Sequence, residues 1–159
     1  MRKTLFKPDA IVVHCSASDW GDAEVFRRWH RERGWSDIGY HAVILNGYRA
    51  HGSDYDMELD GKIESGRTES IMGAHCKAEG MNVRALGVCL VGNPGSGGYP
   101  SERQTAALIH FLKVKCRRYG ISTNAITQHS DHEPAKPFCA SVDILEIRRR
   151  VGANRRRDD

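Results

Sequence analysis

The chain has 159 residues, 40% of them hydrophobic and 28% charged. That length suits one domain with a conventional core and excludes a second domain of ordinary size. With 24 Lys and Arg against 20 Asp and Glu, the formal charge is +4, too small to imply nucleic-acid binding unless the charges cluster.

They cluster only near the C-terminus, in Arg148, Arg149, Arg150, Arg155, Arg156 and Arg157, with no interleaved aromatic residue. A solvated helix end followed by a frayed basic tail (152–159) is expected, attraction to an anionic polymer or lipid being the weaker alternative. The five Cys form no C-x-x-C pair, which argues against a disulfide framework and a zinc finger. The N-terminus starts basic, but Pro8 and Asp9 interrupt it and the apolar run 10–13 is too short for a signal peptide. No stretch approaches the roughly 20 apolar residues of a membrane span. Synthesis in the cytoplasm without an export signal is therefore expected.

In chain order, Ala10 to Val13 forms a buried strand that presents His14 at its C-terminal end. Ala23 to Arg33 is helical by period, with Val25, Phe26 and Trp29 on one side and Gly34 as the stop. A second strand covers 41–45, preceded by Tyr40 and ended by Asn46-Gly47. Residues 48–60 form an elongated hairpin or surface loop before a brief strand at 62–65. Ala85 to Val91 is the central strand. Ser101 caps a helix whose apolar stripe is Ala106, Leu108, Ile109, Leu112 and Cys116, until Gly120. A last strand from Ile126 leads into His129, and a final helix covers 142–151. The expected architecture is a single α/β domain, a mixed central β-sheet flanked by helices, with its core over about 10–151.

Three His and one Cys fall at strand ends or adjacent loops: His14, His75, His129 and Cys139. Imidazoles with one thiolate suit zinc, which at catalytic sites takes three protein ligands and leaves a fourth position to water. His30, His51 and His110 read as surface residues, and Cys15, Cys89 and Cys116 as small buried hydrophobes.

Five ordered motifs carry a resemblance. They are Val13-His14-Cys15-Ser16-Ala17-Ser18; Gly34-Trp35-Ser36-Asp37-Ile38-Gly39-Tyr40-His41; Gly73-Ala74-His75-Cys76; Asn82 followed by 86–92; and Gln128-His129-Ser130-Asp131 with Lys136 and Cys139. Together they resemble the zinc-dependent N-acetylmuramoyl-L-alanine amidases of the peptidoglycan recognition protein superfamily, above all the compact phage endolysins. The likeness spans about residues 10–144.

The resemblance implies hydrolysis of the amide between N-acetylmuramic acid and L-alanine in peptidoglycan, with His14, His129 and Cys139 binding Zn²⁺. It implies that Tyr40 and Lys136 assist at the reacting centre and that His75 and Asn82 belong to the substrate cleft without binding metal. One departure is local: Lys136 stands three residues before Cys139, where phage members have two. Glu133, His132 and His75 are the candidates for the acid that protonates the leaving amine. A phage lysis role further implies action on the bacterial wall in the periplasm, a membrane-permeabilising partner and a monomer. The rival expectations are a non-catalytic peptidoglycan-binding module, against which Cys139 speaks, and an intracellular wall-recycling amidase.

Overall fold

The computed structural model describes residues 6–153. Five strands form one sheet in the order β3-β2-β4-β1-β5: β1 (Ala10–Cys15), β2 (Ala42–Ile44), β3 (Ile63–Ser65), β4 (Ala85–Leu90) and β5 (Ile126–Gln128). β1 runs parallel to both β4 and β5, and β2 runs parallel to β4. Only the edge strand β3 is antiparallel, paired with β2 in the hairpin whose long connection is the 45–62 segment. The sheet is mixed, as expected, and helices α1 (Ala23–Glu32), α2 (Glu102–Tyr119), the single turn α3 (His129–His132) and α4 (Ile144–Gly152) complete the domain.

The alternation of β1 explains where the core ends and the site begins. Ile11, Val13 and Cys15 join the main core with Leu86, Val88 and Leu90 of β4, Leu108 and Leu112 of α2, and Ile147 and Val151 of α4. Successive side chains point to opposite faces of a strand, so Val12 and His14 face the other way. On that second face Phe26 of α1 packs with Ile38, Val43, Leu45 and Cys89. A histidine on this face at the end of β1 therefore stands beside α1, away from the larger core.

Local signals hold the elements where periodicity places them. Asp22 caps α1 by accepting from the Val25 amide, and Ser101 and Gln104 form a reciprocal capping box at α2. Gln104 does more than the sequence suggests: its buried amide donates to the carbonyls of Ile44 and Val91, pinning α2 to two strands, whereas Ala106 of the expected stripe is exposed. His30 corrects another expectation. It is only 7% exposed, because the stripe Ala23, Phe26, His30 follows the helical period inward. Its Nδ1 accepts from the Gly39 amide. Of the arginine cluster, Arg148 donates to the Ile126 carbonyl and Arg149 pairs with Glu146, while Arg155, Arg156 and Arg157 lie outside the described residues.

Candidate metal centre and active site

In open sheets with parallel strands, sites gather beyond the carboxyl ends of the strands. His14 is the penultimate residue of β1, and His129 follows directly on the neighbouring β5. Cys139 is brought to them by the turn after α3. The Ser130 amide donates to the Cys139 carbonyl at 2.6 Å, and the Gln128 side chain exchanges two hydrogen bonds with the Val142 backbone. A donor atom from each of His14, His129 and Cys139 lies within 4.8 Å of the others. Cys139 Sγ is 3.7 Å from His14 Nδ1, close to the about 3.5 Å that tetrahedral bonds of zinc length impose between ligands. His75, the fourth member of the set drawn from spacing, stands outside this group.

Hydrogen bonds settle which nitrogen each imidazole presents. His75 Nε2 is 3.0 Å from the Ala85 carbonyl, which can only accept, so that nitrogen carries the proton and, in the neutral ring, Nδ1 is bare. His75 Nδ1 therefore accepts from His14 Nε2 at 2.9 Å, which leaves His14 Nδ1 unprotonated and facing Cys139. His129 Nε2 donates to Glu133 at 2.9 Å, leaving its Nδ1 free. Burial first, then crowding with His75 and His129, since the clustered rings cannot all carry protons together, and the charge of Lys136 hold His14 well below the usual imidazole range, and burial likewise lowers His129. Both rings stay neutral and able to donate a lone pair.

The thiol is prepared differently. The Cys15 amide donates to Cys139 Sγ at 3.2 Å, a contact that favours negative charge on sulfur. Against it, the hydrogen bond with the Cys15 thiol and burial raise the Cys139 thiol above its ordinary value, so the thiolate needs a nearby cation to form.

These groups open into a cleft of about 450 Å³, lined also by Tyr40, Lys136, Trp35 and Phe138. The Tyr40 ring centroid is 5.3 Å from that of His14, and burial pushes its phenol well above the ordinary range, so it remains a hydrogen-bond donor. Lys136 reaches the cleft despite its shifted spacing, with Pro137 and the exposed Phe138 occupying the interval before Cys139.

His75 does line the cleft wall, but both its ring nitrogens are engaged, so it has none left for substrate. Asn82 is not among the residues that line the cleft; its side-chain carbonyl accepts from the amides of His75 and Cys76 at 2.7 Å, shaping the turn that carries His75. The three acid candidates are likewise occupied. Glu133 holds His129, His132 bridges Thr127 and Glu79, and His75 holds His14. Asp131 caps α3 by accepting from the Gln128 amide. Sequence reasoning missed Gly87, where a Cβ would stand 2.5 Å from His75 Cγ; only glycine leaves room for that ring on β4.

Comparison with known proteins agrees with this geometry. Residues 5–138 match the family described as N-acetylmuramoyl-L-alanine amidase. The endolysin of Enterobacteria phage T3 is 34% identical over 152 residues, covering 91% of this chain and 90% of that protein. The endolysin of Escherichia phage T7 is 34% identical over 140 residues, covering 86% and 82%. Among solved structures, the N-acetylmuramoyl-L-alanine amidase LysC from Clostridium intestinale aligns with a TM-score of 0.75 at 26% identity, over 96% of this chain and 95% of that one. Drosophila PGRP-LB, at a TM-score of 0.63 and 21% identity over 86% and 77%, shares the fold. By sequence and by fold, the chain belongs to the N-acetylmuramoyl-L-alanine amidase family.

Proposed function

We propose that this protein is a zinc-dependent amidase that cleaves the bond between N-acetylmuramic acid and L-alanine in peptidoglycan, acting as a phage endolysin. The observation that carries the reading is the convergence of two neutral imidazoles and one thiol, each with a donor atom free, at the floor of a cleft in a chain of this family. The donor set fits zinc, since two nitrogens and one sulfur leave the fourth position open. His14, His129 and Cys139 would hold the ion. When bound, zinc supplies an acidified water and polarises the carbonyl of an otherwise unreactive amide.

The protein's own groups do the remainder. His75 and Glu133 hold the two imidazoles in the tautomer that presents Nδ1, as outer partners of metal ligands commonly do. The Cys15 amide draws charge from the Cys139 sulfur, which limits how far a thiolate offsets the acidity of the site. Tyr40 keeps its proton and donates a hydrogen bond toward oxygen as negative charge develops there. Lys136 adds a positive charge to the same cleft. The catalytic domain in this reading is the core over about 10–151, working as a monomer. Among the described residues no helix is long and apolar enough to cross a membrane. The endolysin reading includes a membrane-permeabilising partner that gives access to the wall.

Digestion of cell-wall sacculi tests the reading. The expected products are new free amino groups on L-alanine with no new reducing sugars. New reducing ends without free amines would assign the protein to glycan cleavage instead.

A further inference from the structure

A turn of about two residues is enough to join antiparallel strands, yet β2 and β3 are joined by the whole of 45–62. Loops of such length inside a compact domain usually serve a function. This one is fixed in place. The Asn46 side-chain amide donates to the Asp19 carbonyl, and the Gly21 amide donates to the Tyr48 carbonyl, each at 2.9 Å, which ties the segment to the loop after β1. Arg49 pairs with Asp22 and Glu64. The buried Asp60 accepts from the hydroxyls of Tyr55 at 2.8 Å and Ser101 at 2.6 Å, which ties the segment to the start of α2.

Anchored in this way, the segment walls two hollows of about 530 and 410 Å³ that continue the cleft. Ala17 and Asn93 line both the cleft and the first hollow, while Asp19, Tyr48 and Asn93 line both the first hollow and the second. A groove therefore leads away from His14, His129 and Cys139, between the 45–62 segment and the 92–99 loop. Its aromatic groups include Trp20, which packs edge-on against Trp29, and Tyr48, which leans on Tyr55 at 5.5 Å. Tyr48, Tyr55 and Tyr99 are 41%, 48% and 70% exposed. The polar lining is amides, hydroxyls, the imidazole of His51 and the carboxylates of Asp19 and Asp60, with no Lys or Arg.

Carboxylates without a cation beside them repel an anionic polymer. A neutral saccharide suits the same lining, since its C–H faces lie on aromatic rings while its hydroxyls and N-acetyl groups pair with amides and carboxylates. The substrate of the proposed reaction offers such a ligand. The sugar that bears the scissile amide is one unit of a strand, so with that amide at His14, His129 and Cys139 its neighbours must leave the cleft. The hollow bordered by Ala17 and Asn93 is a way out.

On the amidase reading, we infer that this groove is an accessory site for the uncharged glycan backbone of the wall, with Tyr48 and Tyr99 as its stacking rings. It lies outside the groups that surround the reacting bond, and its anchored segment is preorganised for the strand.

Two measurements test it. Metal-free wild type is titrated with a β-1,4-linked N-acetylglucosamine hexamer and followed by NMR, and saturable shifts of the Tyr48, Tyr55 and Tyr99 signals are expected. The double variant Tyr48→Ala with Tyr99→Ala should lose them, and Tyr48→Phe with Tyr99→Phe should keep most of the binding. In the zinc-loaded enzyme, kcat/KM is compared on soluble glycan strands bearing stem peptides and on an N-acetylmuramoyl pentapeptide with its single sugar. The double alanine variant should lose roughly tenfold on the strands, through KM, and match the wild type on the single-sugar substrate. No shift at these tyrosines, shifts confined to Tyr40 and Trp35, or equal losses on both substrates would overturn the inference and leave the amidase reading intact. Hexamer binding at the tyrosines with no amine freed from either substrate would overturn the amidase reading and leave the saccharide site standing.

Discussion

His14 Nε2 donates to His75 Nδ1 over 2.9 Å, and His75 Nε2 in turn donates to the carbonyl of Ala85. A backbone carbonyl on β4 therefore decides which nitrogen of His14 is bare. Removing the middle of this relay in His75→Leu should lower zinc affinity about 10–100-fold, as loss of an outer partner does. His75→Asn, which keeps an acceptor near the position of Nδ1, should recover part of it. Nitrogen NMR of the metal-free protein gives an independent check: His14 should be protonated at Nε2 and bare at Nδ1, and the opposite tautomer would refute the relay.

Gly87 makes the relay possible, since a Cβ there would overlap the His75 ring. Gly87→Ala should destabilise the fold by about 1–3 kcal/mol through overpacking, and weaken zinc binding at the same time. Chelator competition beside urea unfolding reads both. A variant with wild-type zinc affinity would show that the ring can move without losing His14.

Glu133 stands on the other candidate ligand, His129. If it orients His129, Glu133→Ala should loosen zinc, whereas Glu133→Gln should retain most of the affinity through its amide oxygen. Were Glu133 the acid for the leaving amine, both variants would instead keep their metal and lose the same limb of the pH–rate profile.

Because the hydrogen bond with Cys15 and burial favour the protonated form of the Cys139 thiol in the metal-free site, zinc uptake near neutral pH should release protons, up to about one as the partner Cys15 thiol readjusts. Calorimetry in buffers of different ionisation enthalpy measures it. Uptake without proton release would argue against a thiolate ligand.

His30 ties stability to pH. Burial, followed by Arg33 and Arg67, lowers its ring from 6.5 to about 4, so between these values the unfolded chain binds the proton and the folded one does not. Its contribution is complete above pH 6.5 and is lost as pH falls through about 4, an effect of the order of 3 kcal/mol. The metal-free protein should lose stability across that window in urea titrations, and His30→Gln should remove the His30 share of the dependence, leaving that of the likewise lowered His14, His41, His75 and His129 rings.

Much of this arrangement was legible in the sequence. The apolar runs of β1, β4 and β5 end in or beside His14, the 93–95 turn and His129, so strand assignment and site assignment were one inference. The family likeness then set His14, His129 and Cys139 apart as candidate ligands, and the structure brings a donor atom of each within 4.8 Å of the others. What the sequence concealed was the use of polar groups across long separations. His30 lies on the buried stripe of α1, and the i+4 step from Phe26 was the available signal. Asn82 serves backbone amides in its own turn, and Gln104 reaches two strands from another layer. No periodicity encodes either: the Asn82 contact depends on the fold of its own turn, and the Gln104 contacts with distant carbonyls depend on how the layers stack.

The central claim is the identity of the metal ligands, and metal analysis of the purified wild type beside His14→Ala, His129→Ala and Cys139→Ser tests it most directly. About one zinc per chain in the wild type is predicted, with loss of metal and amide-cleaving activity in each variant while the fold persists. Full zinc content and full activity in any of the three variants would contradict the assignment.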